Sequence, residues 1–390
     1  MKKFLKDKLG SKYYKFRLKN ILTYLFGKYY VNGRNLYKNL ISKFNFIKIN
    51  LNKKIEFQSI VKKERGLVVD LTKNNFFTFH LRPKYSDNFY LESTNKPEDK
   101  FAIIIQGPVG EKLNFLKNTI NIYKKIFKNC IIILSTWESE NRHQINSLKN
   151  ENTFIIFSKE PEKSLYNINH QILSTSVALQ IAKKNGAKYS IKTRTDVRLY
   201  KNNLENFIIS LVKTFPVKTN RTIESRIIVP SLVTYKYRIY SLSDIVMAGK
   251  TVDLLEYFDP MYFEESLKKI EVSKNYLFKN KTPVVAEIFL CARMLMKINN
   301  KLDWSLDDWW KSLKDYYCII DNSSFDLFWY KYDWEYENRF LRTYSDKFAR
   351  AIDFQDWLNL YNNLYNDWKL NSIEHEKYNE NFQLTNIFKN

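Results

Sequence analysis

Lys188-Tyr-Ser-Ile-Lys-Thr-Arg-Thr-Asp196-Val-Arg-Leu199 is the stretch from which the fold of this chain is read. Apolar and polar residues alternate from Tyr189 and then stop at Arg194, Thr195 and Asp196, which predicts a strand with a carboxylate at its end. In open α/β sheets ligands bind beyond the carboxyl ends of the strands. An acid there, flanked by Arg194 and Arg198, suits an anionic substrate or a metal-bound phosphate. An ordinary ion pair in a turn is the plainer alternative.

The sequence around this stretch repeats one layout: a short apolar run, a polar turn, a helical segment. Phe101-Ala-Ile-Ile-Ile-Gln106 is too continuously apolar for a half-exposed strand and too short for a buried helix, so it predicts a central parallel strand. Gly107-Pro-Val-Gly110 ends it. From Glu111 to Phe127 the apolar residues Leu113, Leu116, Ile120, Tyr123 and Phe127 recur at helical spacing. Cys130 to Trp137 predicts a second buried strand and Thr153 to Phe157 a third. A helix striped by Ile172, Leu173, Val177, Ile181 and Ala182 follows, entered through Asn169 as N-cap and left near Gly186. The fourth strand delivers Asp196. Four strand ends thus meet on one rim carrying Gln106 and Gly107, Ser135 to Trp137, Ser158, and Arg194 to Asp196.

Several chemistries are disfavoured by what is missing. The glycines at 107 and 110 lack the G-x-G-x-x-G spacing, and Pro108 removes an amide where a pyrophosphate would need one, so nicotinamide and flavin cofactors are not expected. There is no P-loop and no G-x-S-x-G elbow. The four His, at 80, 143, 170 and 375, are too dispersed to predict a zinc site.

Four motifs in order, Ile103-Ile-Ile-Gln-Gly-Pro-Val109, Ile132-Ile-Leu-Ser-Thr-Trp137, Asn167-x-Asn-x-Gln-x-x-Ser-Thr175 and Lys192-x-Arg-x-Asp196, resemble the WavE family of lipopolysaccharide-synthesis proteins. The likeness runs from about Phe101 to Phe258. It implies a GT-A-type glycosyltransferase fold: an α/β layer with a Rossmann-type mixed sheet and helices on both faces, binding a nucleotide sugar, with an acidic motif ending the fourth strand. It also implies a part in building lipopolysaccharide cores or related surface glycans. The chain departs from the family pattern at His170, where Arg is expected, and Thr-Asp-Val is only half of the Asp-x-Asp found in many such enzymes.

Transfer from a nucleotide-sugar donor needs the departing diphosphate stabilised and the acceptor hydroxyl deprotonated as it attacks. A divalent cation, Mg²⁺ or Mn²⁺, on Asp196 with support from Lys192, Arg194 or Arg198 is the expected means for the first. Gln106 and Gly107 are expected against the nucleotide, and Asn169 and Gln171 offer amides to sugar or ribose hydroxyls. Two acids are candidates for the general base. Asp244 precedes the apolar run Ile245-Val-Met-Ala-Gly249, and Glu287 is the lone acid of Pro283-Val-Val-Ala-Glu-Ile-Phe-Leu-Cys291. A buried carboxylate needs a partner or a cleft, so a salt bridge to a base such as Arg293 is the alternative for Glu287.

The net charge of +23 is concentrated at the start of the chain. Residues 1–65 hold 18 basic and 3 acidic residues, and Phe16, Leu18, Ile21, Leu22, Leu25, Phe26 and Tyr29 interleave with Lys15, Arg17, Lys19 and Lys28. Such a basic amphipathic segment suits an anionic membrane surface, and a helix packed on the α/β domain is the competing expectation. No apolar run reaches the ~18 residues of a spanning helix. Three dispersed cysteines fit a reducing compartment. A cytoplasmic protein at the inner face of the cytoplasmic membrane is therefore expected.

Residues 301–390 invert the charge, with 11 basic and 16 acidic residues, and carry seven of the eight Trp. Helical patterns at 303–313 and 354–364 predict a helical cap, its Trp residues forming either a sugar-acceptor platform or core anchors. The expected divisions are a basic N-terminal region over 1–65, a connecting arm or extra strands over 66–98, a nucleotide-sugar-binding core over 99–260 and a helical, Trp-rich cap over 261–390. Together these features predict a glycosyltransferase with a lipid-linked, lipopolysaccharide or capsular polysaccharide acceptor. The alternatives are a polyol-phosphate transferase in the same pathway, or a non-catalytic basic protein binding nucleic acid or anionic lipid. No nucleic-acid motif supports the last, and no nucleic-acid partner is expected.

Overall fold

The computed structural model describes residues 75–77, 81–83, 97–217, 222–259, 286–299, 301–331, 351–366 and 368. The chain divides into units 1–74 and 75–390, and all described residues lie in the second. The basic N-terminal region, the run Leu67 to Leu71 and Trp334 lie outside them. Strands β1 (Asn75–Phe77) and β2 (Leu81–Pro83) pair antiparallel within the expected 66–98 arm.

Isoleucine-rich runs build the centre. β3 (Phe101–Gln106), β4 (Cys130–Trp137), β5 (Thr153–Ser158) and β6 (Tyr189–Arg194) are the four strands expected from the sequence. β-branched side chains suit a pleated surface, and every residue of β3 is buried, so both faces of the sheet are covered. β7 (Val197–Leu199), β8 (Ile227–Pro230), β9 (Met247–Lys250), β10 (Tyr317–Ile320) and β11 (Leu327–Trp329) complete the strands.

The main sheet has seven strands in the order β10-β8-β9-β6-β3-β4-β5. β3 is parallel to β4 and β6, β4 to β5, and β8 to β10, while β9 runs antiparallel between β6 and β8. Registers align the strand ends: Gln106 lies opposite both Ser135 and Arg194, and Trp137 opposite Ser158. The predicted rim therefore exists. β9 enters from that same rim, with Met247 opposite Lys192.

Helices flank both faces. α1 (Leu113–Ile126) buries Phe115, Leu116, Thr119, Ile120 and Tyr123, and α2 (Arg142–Asn146) is capped by the Asn141 side chain. α3 (Ile168–Lys184) packs on β3, β4 and β6. It begins one residue before Asn169, with Asn167 in the N-cap position, left-handed and making no side-chain cap, so the expected Asn169 cap is corrected. Its buried face also differs from the predicted stripe. Ser174, Thr175, Ser176 and Ala178 are buried while Leu173, Val177 and Ile181 are half-buried, because small side chains let the helix lie close to the sheet.

α4 (Leu204–Thr214), α5 (Thr251–Tyr257), α6 (Ala286–Asn299), α7 (Leu306–Tyr316), α8 (Asn322–Phe325) and α9 (Phe354–Tyr361) follow. Ser305 caps α7 and Asp353 caps α9 through backbone N–H groups three residues on. The C-terminal region is not a wholly helical cap. Its apolar run Tyr317–Ile320 forms the edge strand of the main sheet, and Leu327–Trp329 pairs with β7 in a separate two-stranded sheet. Trp304, Trp309, Trp310, Trp357 and Trp368 are all buried, with Trp309 and Trp310 donating to the carbonyls of Tyr235 and Lys236. Among the described residues no helix is long and apolar enough to cross a membrane.

Candidate functional site

The rim of the main sheet is built from four segments. β3 ends in Gln106 and Gly107, β6 in Lys192 and Arg194, the loop before β9 supplies Asp244, and the first turns of α3 supply Asn169, Gln171 and Ser174. Strand alternation puts Lys192 and Arg194 on one face of β6 and Thr193 on the other. That first face meets α3, since Ser174 Oγ donates to Gln106 Oε1 at 3.1 Å and Gln106 lies opposite Arg194.

Gly107 makes the turn out of β3 possible. Its φ of 115° is open to glycine, and a Cβ there would stand 3.5 Å from Thr195 Oγ1. Thr195 closes the turn by donating to the Pro108 carbonyl at 2.7 Å, while its N–H donates to the Gln106 carbonyl at 3.1 Å. The next amides, of Val109 and Gly110, donate to the Glu140 carboxylate at 2.7 and 3.1 Å.

Asp196 sits just beyond the end of β6. Arg194 forks onto it, Nε to Oδ1 at 2.8 Å and Nη2 to Oδ2 at 3.1 Å, and Trp329 Nε1 donates to Oδ2 at 3.0 Å. The guanidinium also lies 5.5 Å from the Trp329 ring centroid. The Asp196 side chain is 8% exposed and that of Arg194 30%, so the carboxylate stands behind the guanidinium. Burial pushes the Asp196 pKa up, but the Arg194 pair and the Trp329 N–H outweigh it and hold the carboxyl below its ordinary value.

A divalent cation fits this arrangement poorly. Both oxygens of Asp196 already take N–H donors, one of them a full positive charge beside which an added cation would have to sit. Among the described residues no group of three or more His, Cys, Asp or Glu could hold a metal.

A second cluster lies on the same face. Gln171 Nε2 donates to Asp244 Oδ2 at 2.8 Å, and the Lys192 ammonium donates to the Asp244 main-chain carbonyl. Lys192 is fully buried, 5.3 Å from the Phe258 ring centroid, and burial brings its pKa down to about 8. Glu287, in the first turn of α6, pairs with Arg238 at 3.9 Å rather than with Arg293, whose guanidinium donates to the carbonyls of Tyr257 and Asp259. Burial raises the Glu287 pKa, Arg238 opposes that, and the Asp244 charge adds to it. The Tyr257 hydroxyl, fully buried and within the electrostatic reach of Asp244 and Glu287, has no hydrogen-bond partner among the described residues, and neither has Ser243 Oγ.

Asp244, Glu287, Gln106, Gly107, Gln171, Lys192, Arg194 and Asp196 are thus brought to one side of the molecule. Asn169 is nearly buried, its N–H donating to Ser164 Oγ at 2.8 Å. Arg198 is elsewhere. Its guanidinium is fully buried against α1, donating to Thr119 Oγ1, the Phe115 carbonyl and the Tyr200 hydroxyl at 2.7–2.8 Å and lying 4.0 Å from the Phe115 ring centroid. The ligand contact expected of Arg198 is corrected accordingly: the chain leaves the main sheet after Arg194, and β7 faces α1 instead of the rim. Arg238 and Tyr257 carry no signal in the sequence, Ser174 enters there only as a member of the Asn167-x-Asn-x-Gln-x-x-Ser-Thr175 motif, and Trp329 only among the C-terminal Trp residues, not as a partner of Asp196. Trp329 is 133 residues from the acid it contacts, and nothing in the pattern around it signals that contact.

The family model described as WavE lipopolysaccharide synthesis matches residues 101–389. No curated protein matches the chain. Among solved structures, mouse xyloside xylosyltransferase 1 is similar at 9% identity and TM-score 0.32, over 59% of this chain and 96% of that one. The glycosyltransferase GlyE of Streptococcus pneumoniae TIGR4 is similar at 9% identity and TM-score 0.34, over 72% of this chain and 64% of that one. These likenesses are too distant to assign an activity.

Proposed function

The chain belongs to the WavE lipopolysaccharide-synthesis family, and from that membership we propose that it is a GT-A-type glycosyltransferase. It moves a sugar from a nucleotide-sugar donor to a growing lipopolysaccharide or related surface-glycan acceptor. The observation that carries the proposal is the pairing, on one rim, of a cationic group at the end of β6 with a carboxylate held by α3: Arg194 on Asp196, and Asp244 on Gln171.

In the transfer the bond between the anomeric carbon and the diphosphate oxygen breaks, and its electron pair leaves on the diphosphate. The acceptor oxygen forms the new bond to that carbon and gives its proton to a carboxylate. Arg194 stabilises the charge that develops on the leaving group, and Lys192 adds positive potential from the same face. Asp244 or Glu287 takes the proton. Gln171 orients the first, and burial, opposed by Arg238, raises the pKa of the second and so its basicity. Gln106 and Gly107 lie against the nucleotide, and Asn169 lines the donor pocket. Mg²⁺ or Mn²⁺ remains the family expectation at Asp196, but the donor set there does not favour it. The basic N-terminal region brings the enzyme to the anionic inner face of the cytoplasmic membrane, where a lipid-linked acceptor is presented.

The test is transfer itself. Purified protein is incubated with UDP-, GDP-, CMP- and ADP-linked sugars and a lipopolysaccharide-core acceptor, and the product is weighed by mass spectrometry. A hexose-sized gain supports the proposal, a gain containing phosphorus would move the reading to a polyol-phosphate transferase, and no gain from any donor would overturn it.

A further inference from the structure

The Arg194–Asp196–Trp329 constellation has a consequence for how the diphosphate is held, and this step rests on the transferase reading above. We infer that Arg194 takes the place of a divalent cation: the guanidinium itself binds the donor's diphosphate, and Asp196 and Trp329 are its mount.

Three observations converge. Arg194 lies at the carboxyl end of the strand central to the rim, opposite Gln106, where a diphosphate would be met. Its side chain is 30% exposed while its acid is 8% exposed, so the guanidinium can be reached from outside while its counter-charge is buried. A guanidinium carries five N–H donors in a planar fork, and two of them address Asp196 while the plane rests near the Trp329 ring. That immobilises a residue whose geometry matches phosphate oxygens, lowering the ordering cost of binding.

The same contacts oppose a metal ion. To coordinate Asp196 a divalent cation would have to share its oxygens with the charged fork or displace it, and either way would stand close to a guanidinium. Oδ2 is already filled, taking both Arg194 Nη2 and Trp329 Nε1. Lys192, fully buried two residues earlier on the same face, would raise the local positive charge further. With Arg194 in the metal's place, Lys192 instead becomes a supporting charge behind the same diphosphate.

The experiment is calorimetric titration of the full chain with UDP, GDP, CDP and ADP, each in EDTA and again with Mn²⁺. One nucleotide is expected to bind with affinities within about two-fold in the two buffers. Arg194→Gln is expected to weaken that binding at least about ten-fold, and Arg194→Lys by less, since a point charge survives without the fork. Binding abolished by EDTA and restored by Mn²⁺ would overturn the inference, and that arm needs no variant to fold. Unchanged affinity in Arg194→Gln would also overturn it. If no nucleotide binds in either buffer, the transferase reading itself falls, an outcome distinct from the other two.

Discussion

Gln171 and Asp244, 73 residues apart in sequence, meet at 2.8 Å across the rim, the amide N–H₂ of the first donating to Oδ2 of the second. One helix of the core and the loop before the antiparallel strand are thereby tied at the place where the family's chemistry is expected. Removing Asp244's charge should stop proton removal. Asp244→Asn is expected to lower turnover by roughly 10²- to 10⁴-fold. Gln171→Ala, which frees the carboxylate without removing it, should cost less. Equal turnover in wild type and Asp244→Asn would transfer the base role to Glu287.

Arg198 should behave as a structural residue. Its truncation to Met leaves the Phe115 carbonyl and the Tyr200 hydroxyl without a buried charged donor, so a loss of about 1–3 kcal/mol is expected. Chemical denaturation measures it, through a lowered midpoint. Any protein that remains folded should bind nucleotide as the wild type does.

Gly107→Ala tests the turn that sets the β3 end of the rim. At φ 115° an L-residue is strained, and a loss of roughly 1–3 kcal/mol is expected. The thermal midpoint should fall, and nucleotide affinity should fall with it. The space beside the Cβ is ordinary contact with Thr195, so the loss arises from the backbone and not from a clash.

Glu205 supplies a pH dependence. It is fully buried in the first turn of α4, and burial pushes its pKa from 4.5 up to about 7, the backbone amides of Lys128 and Asn129 opposing in part. Between those two values the folded protein holds a proton that the unfolded chain has lost. Stability therefore falls as pH rises through that window, by no more than about 1.4 kcal/mol per pH unit from this group, and levels off above it. Glu205→Gln should remove that slope, so its advantage over wild type grows as pH rises from 4.5 to 7. Parallel melting curves for the two proteins across that range would contradict the assignment.

β3 and β4 were legible because strands buried on both faces leave continuous apolar runs, β5 as a short apolar run although it is half-buried, and β6 because its alternation stops abruptly at Arg194. Tyr317–Ile320 was not. Four apolar residues directly after a helix give no period of their own, and a place beside β8 is decided by contacts 90 residues away. The insertion of β9 was equally hidden, since Met247-Ala-Gly-Lys250 carries no signal of direction. In the site, Asp196 was legible from the abrupt end of its strand, and so was its pairing with an arginine as the plainer alternative. Which arginine faces the rim was not: Arg194 and Arg198 are equivalent by alternation until the chain departs into the β7–β11 pair.

The most direct test of the account is hydrogen exchange of the folded chain with UDP-, GDP-, ADP- and CMP-linked donors added in turn. The account predicts that one donor slows exchange in the segments 107–112, 164–172 and 231–246, which frame Arg194 and Asp244. Slowing confined to other segments, or none with any donor, would contradict the claim that this rim is where the sugar donor binds.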